Sequence, residues 1–273
     1  MKIINADEAL KNNAYKSALT ELLYQLADDD FILAYRGSEW LGLAPHIEED
    51  VAFSSINQDT MGHAAMFYQL LEELGEGKMD DLAHSRLPSA RRNACLLEIV
   101  NGTGHYLDEP RYDWAFAVVR HYFSTVAKKI RMESLKNSSY QPLADTAARV
   151  NIELYYHMLH WKTWFQQLML AGGEARTRME KAINNVMADF EGVLTLGTNG
   201  QDIVKFAIIE HDQAMKKRWV SIMQPVFVGV NASLPETFGM RSGNGRNGEH
   251  TKDLENALET LNEVYSLDPA ASW

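Results

Sequence analysis

Apolar residues recur at steps of three and four along four long stretches of this chain, a period that admits α-helices and little else. The first stripe runs Leu19, Leu23, Leu26, Asp30, Leu33 and ends near Gly37. The second runs Ile56, Thr60, His63, Phe67, Leu70, Leu74 and stops at Gly75-Glu76-Gly77. The third opens after Pro110 as Trp114, Val118, His121, Thr125. The fourth follows Pro142 as Val150, Leu154, His157, Trp161, Trp164, Leu168 and closes at Gly172-Gly173. Proline cannot continue a helix interior, and several of the seven prolines fall where helices should break. Four long helices with apolar stripes predict an all-α fold built on a four-helix bundle. Further helices are expected from Met179 to about Leu194, from Asp202 to about Met223, and from Leu254 to Tyr265. The only β-like fragment is Val226 to Val230. Residues 75–89 and 231–250 read as loops, and the glycine-rich run Ser242 to Gly248 makes the second the candidate mobile segment. The expected organisation is one domain over 1–273, with the core bundle over about 15–172 and C-terminal helices and tail over about 173–273.

Composition narrows the class. The formal net charge of −11 argues against a nucleic-acid binder, which needs a basic surface. No run approaches the roughly 20 apolar residues of a membrane span. The first fourteen residues carry Asp7, Glu8 and Lys11 and no apolar core of a signal peptide, so the expected compartment is the cytoplasm. The single cysteine, Cys95, lies in an apolar run and is expected to be a small buried side chain.

Three of the four stripes are interrupted by an imidazole, His63, His121 and His157, and the first carries Asp30 instead. Inward histidines in a four-helix bundle raise one specific chemistry. Di-iron carboxylate bundles take a carboxylate from each of two helices and Glu-x-x-His from each of the other two. Residues three apart share a helix face, so one turn presents an oxygen and a nitrogen to the same metal. This chain fails that rule. Three residues before His63 stands Thr60, three before His157 stands Leu154, and no glutamate anywhere is followed by histidine at the third position. Asp59 and Glu153 precede the histidines by four residues, about 100° away from the required slot. One Asp-x-x-His exists, Asp81 to His84, but in an expected loop. The stripes therefore read first as helix–helix core. Trp161 and Trp164 share that stripe, so the aromatic run from Tyr155 to Phe165 also reads as packing rather than a substrate pocket. Lys128, Lys129 and Arg131 read as a solvated helix end.

The segment Gly37-Ser38-Glu39-Trp40-Leu41-Gly42-Leu43-Ala44-Pro45, with Glu48, Asp50, Ala52, Ile56, Asp59, Gly62, Ala64 and Phe67, resembles the C subunits of bacterial ring-1,2-phenylacetyl-CoA epoxidases. Gly248-Glu249-His250-Thr251, Leu254 and the terminal Trp273 extend the resemblance to nearly the whole chain. It implies a ferritin-like fold and a structural subunit of a multicomponent di-iron monooxygenase of phenylacetate catabolism. In that family the catalytic A subunit holds the di-iron centre, and a small B subunit and a reductase complete the complex. The A-subunit motif Asp-Glu-x-Gly-His falls on Asp59-Thr60-Met61-Gly62-His63, and its second Glu-x-x-His on Leu154-Tyr155-Tyr156-His157. The acidic ligands of the first and third helices fall on Asp30 and Thr125. Of the four carboxylate positions only Asp30 keeps one, so the resemblance implies no catalytic residue, no metal and no cofactor in this chain. The partners implied are the catalytic A subunit, then the B subunit and reductase, with self-association of the isolated chain left open. His63 and His157 are expected to pack and hydrogen-bond in the core with Asp30 as a partner. The competing reading is a ferritin-like oxidase that binds metal through His63, His157 and Asp30.

Overall fold

The computed structural model describes residues 2–271, so the expectation attached to Trp273 lies outside the described residues. Its helices, in chain order, are α1 (Ala6–Ala9), α2 (Asn13–Ser38), α3 (Ile47–Glu73), α4 (Met79–His84), α5 (Cys95–Glu98), α6 (Trp114–Leu135), α7 (Gln141–Leu170), α8 (Gly173–Met187), α9 (Glu191–Leu194), α10 (Gly200–Lys205), α11 (Asp212–Gly229) and α12 (Lys252–Asn262). A hairpin of β1 (Gly102–His105) and β2 (Asp108–Tyr112) lies between α5 and α6.

The bundle is α2, α3, α6 and α7. α2 packs along α3, α6 along α7, and α3 meets α7. The boundaries follow from local chemistry. The Asn12 side chain accepts from the amides of Ala14 and Tyr15 and caps α2, and Asp113 caps α6 in the same way. Pro142 sits in the first turn of α7, where its missing N–H costs nothing. α7 ends at Gly172, whose φ of 73° admits glycine without strain. Beyond the bundle, α8 packs on α6 and α7, α11 on α6, and α12 on α2, α4 and α5. Trp161, Trp219, Phe123 and Phe165 are fully buried between these layers.

Several local expectations are corrected. Residues 75–89 are not a loop throughout, because α4 lies inside them and carries Asp81 and His84. Asp81 accepts from the Tyr265 hydroxyl while His84 bonds Asn262, so the two do not converge. The helix expected from Met179 breaks into α8 and α9, and that expected from Asp202 into α10 and α11. Val226 to Gly229 is helical, because α11 runs through Pro225. The strands lie instead at β1 and β2, hidden from a periodicity reading by Gly102, Gly104 and Pro110. A Cβ at Gly102 would stand 2.3 Å from the Arg111 carbonyl oxygen, so the hairpin needs glycine there.

Residues 231–250 carry little regular structure, yet they are not a free loop. Arg246 is buried and its guanidinium bonds both Asp29 oxygens at 2.7 Å. His250 lies within hydrogen-bond distance of Glu98 Oε2 through Nδ1 (2.8 Å) and of the Arg91 carbonyl through Nε2 (3.1 Å). The backbone amide and hydroxyl of Thr251 donate to the other Glu98 oxygen. Arg36 bonds Glu39, the Glu98 carbonyl and the Asp253 carbonyl. The Gly37–Pro45 turn and the Gly248–Thr251 tail are thus two sides of one buried polar joint. Cys95 is buried beside it, donates to the Glu249 carbonyl, and has its thiol pushed up to about 12 by burial and then by Glu98. That is the small buried side chain expected of it.

Candidate functional site

Three consecutive aspartates on α2 organise the middle of the bundle. Successive helical residues point about 100° apart, so Asp28, Asp29 and Asp30 face three different neighbours. Asp28 bonds Arg86, Arg91, the Tyr68 hydroxyl and the amide of Arg92. Asp29 bonds Arg131 and Arg246. Asp30 faces inward and pairs with Lys128 of α6, Nζ to Oδ1 at 2.8 Å.

Lys128 is the side chain whose course the sequence pattern conceals. It lies almost two turns before the end of α6 and points into the bundle. The same ammonium donates to Nδ1 of His63 at 2.8 Å. That bond fixes the tautomer, because Nδ1 is the acceptor and Nε2 carries the proton. His63 Nε2 then donates to Glu153 of α7 at 2.6 Å. An unbroken chain therefore runs Asp30, Lys128, His63, Glu153 from the core to a carboxylate that is 45 % exposed. Arg131 also turns inward and is buried against Asp29, and Lys129 bonds the Asn151 carbonyl. The basic run is a set of internal ties rather than a solvated end, because α6 is buried on most sides along this stretch.

The histidines and their near-miss carboxylates are crossed. His63 of α3 bonds Glu153 of α7, and His157 of α7 bonds Asp59 of α3, Nε2 to Oδ2 at 3.0 Å. Each carboxylate is rotated away from its own histidine's slot and reaches the histidine of the facing helix. The expectation that Asp30 partners the imidazoles is corrected accordingly: its link to His63 passes through Lys128. The two rings lie 6.2 Å apart between centroids.

Five of the six positions onto which the resemblance maps a di-iron site, Asp30, Thr60, Thr125, Leu154 and His157, line one internal cavity of about 40 Å³ together with His121 and Lys128. The Thr60 hydroxyl is spent on its own helix, donating to the Ile56 carbonyl at 2.7 Å. Leu154 is buried and presents only methyl groups. His121 donates from Nδ1 to the Ala117 carbonyl, which leaves Nε2 an acceptor. That nitrogen, Asp30 Oδ2 and Ser124 Oγ are buried without a protein partner.

The electrostatics follow from burial. Burial raises the Asp30 carboxyl to about 6, and Lys128 recovers only part of that cost. Burial, then the Lys128 ammonium and His157, press the His63 pKa far down, so its ring is neutral. Burial likewise lowers His157, against the pull of Asp59, and brings His121 down to about 3. Neutral imidazoles around one ammonium make a site that holds its own cation.

The aromatic run divides. Trp161 and Phe165 are core, and Trp164 donates its indole N–H to Glu49 at 2.5 Å. Tyr155 and Tyr156 point outward. Lys128 is the site residue the sequence reading missed, while Asp59 and Glu153 were seen as near-misses without their crossed pairing. The available signal was a lysine one turn after Thr125, on the face that carries His121.

A bundle that turns histidines and an aspartate toward one buried point from facing helices has the ferritin-like architecture of di-iron carboxylate proteins. The chain belongs to the phenylacetic acid catabolic protein family, whose model matches residues 1–273. It is 28% identical over 261 residues to the C subunit of the 1,2-phenylacetyl-CoA epoxidase of Escherichia coli (strain K12), covering 93% of this chain and 99% of that protein.

Proposed function

We propose that this chain is a non-catalytic structural subunit of a multicomponent di-iron monooxygenase that epoxidises the ring of phenylacetyl-CoA in aerobic phenylacetate degradation. The iron would sit in a partner catalytic subunit, with a small accessory subunit and a reductase completing the assembly. The similarity to the Escherichia coli epoxidase chain supports the placement in that complex.

The observation that carries the non-catalytic half of the reading is Lys128. Its ammonium bonds Asp30 and His63, two of the groups a metal would need. A di-iron pair carries bridging carboxylates that offset the charge of two cations. The resemblance places Thr60, Thr125 and Leu154 at three of those four carboxylate positions, all three line the cavity, and the Lys128 ammonium lies beside Asp30 at the fourth. Ammonium and metal cations compete for the same lone pairs, so the donor set speaks against iron. Di-iron chemistry, the activation of dioxygen for ring oxidation, is then supplied by the partner. The same ammonium disfavours an independent oxidase built on His63 and His157.

The test is elemental analysis and turnover on the chain alone and on the assembled complex. The chain alone should carry iron far below one equivalent and show no oxygenase activity. The complex should hold about two irons per catalytic chain. His63→Ala with His157→Ala should leave complex turnover within about twofold. Two irons in the isolated chain, or turnover lost in the double variant while the complex still assembles, would overturn the reading.

A further inference from the structure

We infer that the outward face shared by α3 and α7 is the docking surface for a helical face of the catalytic subunit, one that presents arginine or lysine near its centre. The inference rests on the proposed structural role and adds where the partner sits.

Charge depletion is the first observation. The chain carries charged residues at 23% of its positions. Yet from Val51 to Leu71 of α3 the only one is Asp59, and from Val150 to Trp161 of α7 the only one is Glu153. Both helices show an exposed face over this length, so charge would ordinarily be abundant there. Instead α7 exposes Ile152, Tyr155, Tyr156 and Leu159, more than half accessible and repeating at helical spacing. Few charges and exposed tyrosines mark the centre of a protein–protein interface.

Gly62 is the second and independent observation. It lies inside α3 with helical backbone, exposed, and a Cβ built on it meets nothing within 4 Å. Neither backbone conformation nor internal packing asks for glycine there, and glycine weakens a helix interior relative to alanine. Close approach of another backbone from outside is the remaining physical use. Gly62 is three residues after Asp59, and Tyr156 three after Glu153, so both share the face on which the crossed histidine–carboxylate pairs emerge.

Those carboxylates choose the occupant. Asp59 and Glu153 are 40 % and 45 % exposed and stand mid-face, each with one oxygen engaged by histidine. Burial and then the Asp59 charge already raise the Glu153 pKa. A second copy would meet this face across a two-fold axis and set these carboxylates against their own duplicates, on a chain of net charge −11. A partner with basic donors opposite them satisfies the free oxygens on burial.

The experiment is binding of the full-length chain to the co-expressed catalytic subunit, read as Kd and by co-purification. The chains compared are wild type, Gly62→Trp, Tyr156→Glu and Leu107→Asp, the last at the hairpin tip as a control. Circular dichroism melting first verifies that each variant folds. Gly62→Trp and Tyr156→Glu should each weaken binding at least about tenfold, and Leu107→Asp less than about twofold. Folded Gly62→Trp and Tyr156→Glu chains that bind like wild type would overturn the docking face and leave the structural role standing. A wild-type chain that fails to bind the catalytic subunit would overturn both. Self-association of the wild type that disappears in the same two variants would make the occupant a second copy, overturning the choice of partner.

Discussion

Asp28 and Asp30 are two residues apart on one helix and both are buried, but they are satisfied in opposite ways. Asp28 meets two guanidinium groups, a tyrosine hydroxyl and a backbone amide. Burial alone would raise its carboxyl, and Arg86 and Arg91 overcome that and hold it below the usual range. Asp30 meets one ammonium, leaves Oδ2 unbonded at the wall of a cavity, and is raised to about 6. The difference separates a structural joint from a site. Planar guanidinium forks saturate a carboxylate and close the space around it. A single lysine satisfies one oxygen and leaves room. The same sequence run, Asp28-Asp29-Asp30, therefore ties the α4–α5 connection and the tail on two sides and faces the cavity on the third.

The sharpest way to break this comparison is Asp28→Ala. It strands Arg91, which is wholly buried, and Arg86 beside it. Leaving a buried charge unpaired costs about 3–5 kcal/mol, and urea unfolding should show a loss of that size or failure to fold. A loss under about 1 kcal/mol would mean that the arginines find water and that no joint exists.

The next prediction concerns pH. A carboxyl whose folded pKa lies above its unfolded value contributes most stability at low pH and loses it as pH rises. For Asp30 the window lies between the ordinary value of 3.8 and about 6. A rise of roughly two pKa units corresponds to about 3 kcal/mol across that window. Relative to wild type, Asp30→Asn should therefore gain stability as pH goes from 4 to 7. His63 and His157 work with the opposite sign. Their folded values are depressed, so their contribution is present above about 6.5 and lost below it. Referencing Asp30→Asn to wild type at each pH removes that background, and a flat difference would show that Lys128 neutralises Asp30 fully.

The smallest expected effect is Thr60→Val. The hydroxyl bonds only its own helix at Ile56, so its removal should cost under about 1 kcal/mol in thermal or urea unfolding. A larger loss would place Thr60 in the polar network beside Asp30, blurring the distinction between joint and site.

Much of the bundle was legible without coordinates. The four stripes became α2, α3, α6 and α7, since a 3.6-residue period shows directly which face is buried. The missing carboxylates at Thr60 and Leu154 were equally legible, because ligand spacing within one turn is a local property. The hairpin was not, because its strands carry glycines and a proline. Nor was the inward course of Lys128 and Arg131. A basic triplet in a helix looks the same whether water or an aspartate faces it, and only the packing of α2 against α6 decides.

By itself the sequence determined the four bundle helices, their inward faces and the absence of a ligand carboxylate in either histidine turn, since each of these depends on neighbours three or four residues away. What only the tertiary structure decided is which distant polar partner each inward side chain meets. Pairing Asp30 with Lys128, Glu153 with His63 and Glu98 with His250 joins residues 90 to 152 positions apart. Contacts across such separations follow from how helices pack, because an unpartnered polar group is costly in the low-dielectric interior and takes whichever charged or polar partner the fold brings within reach.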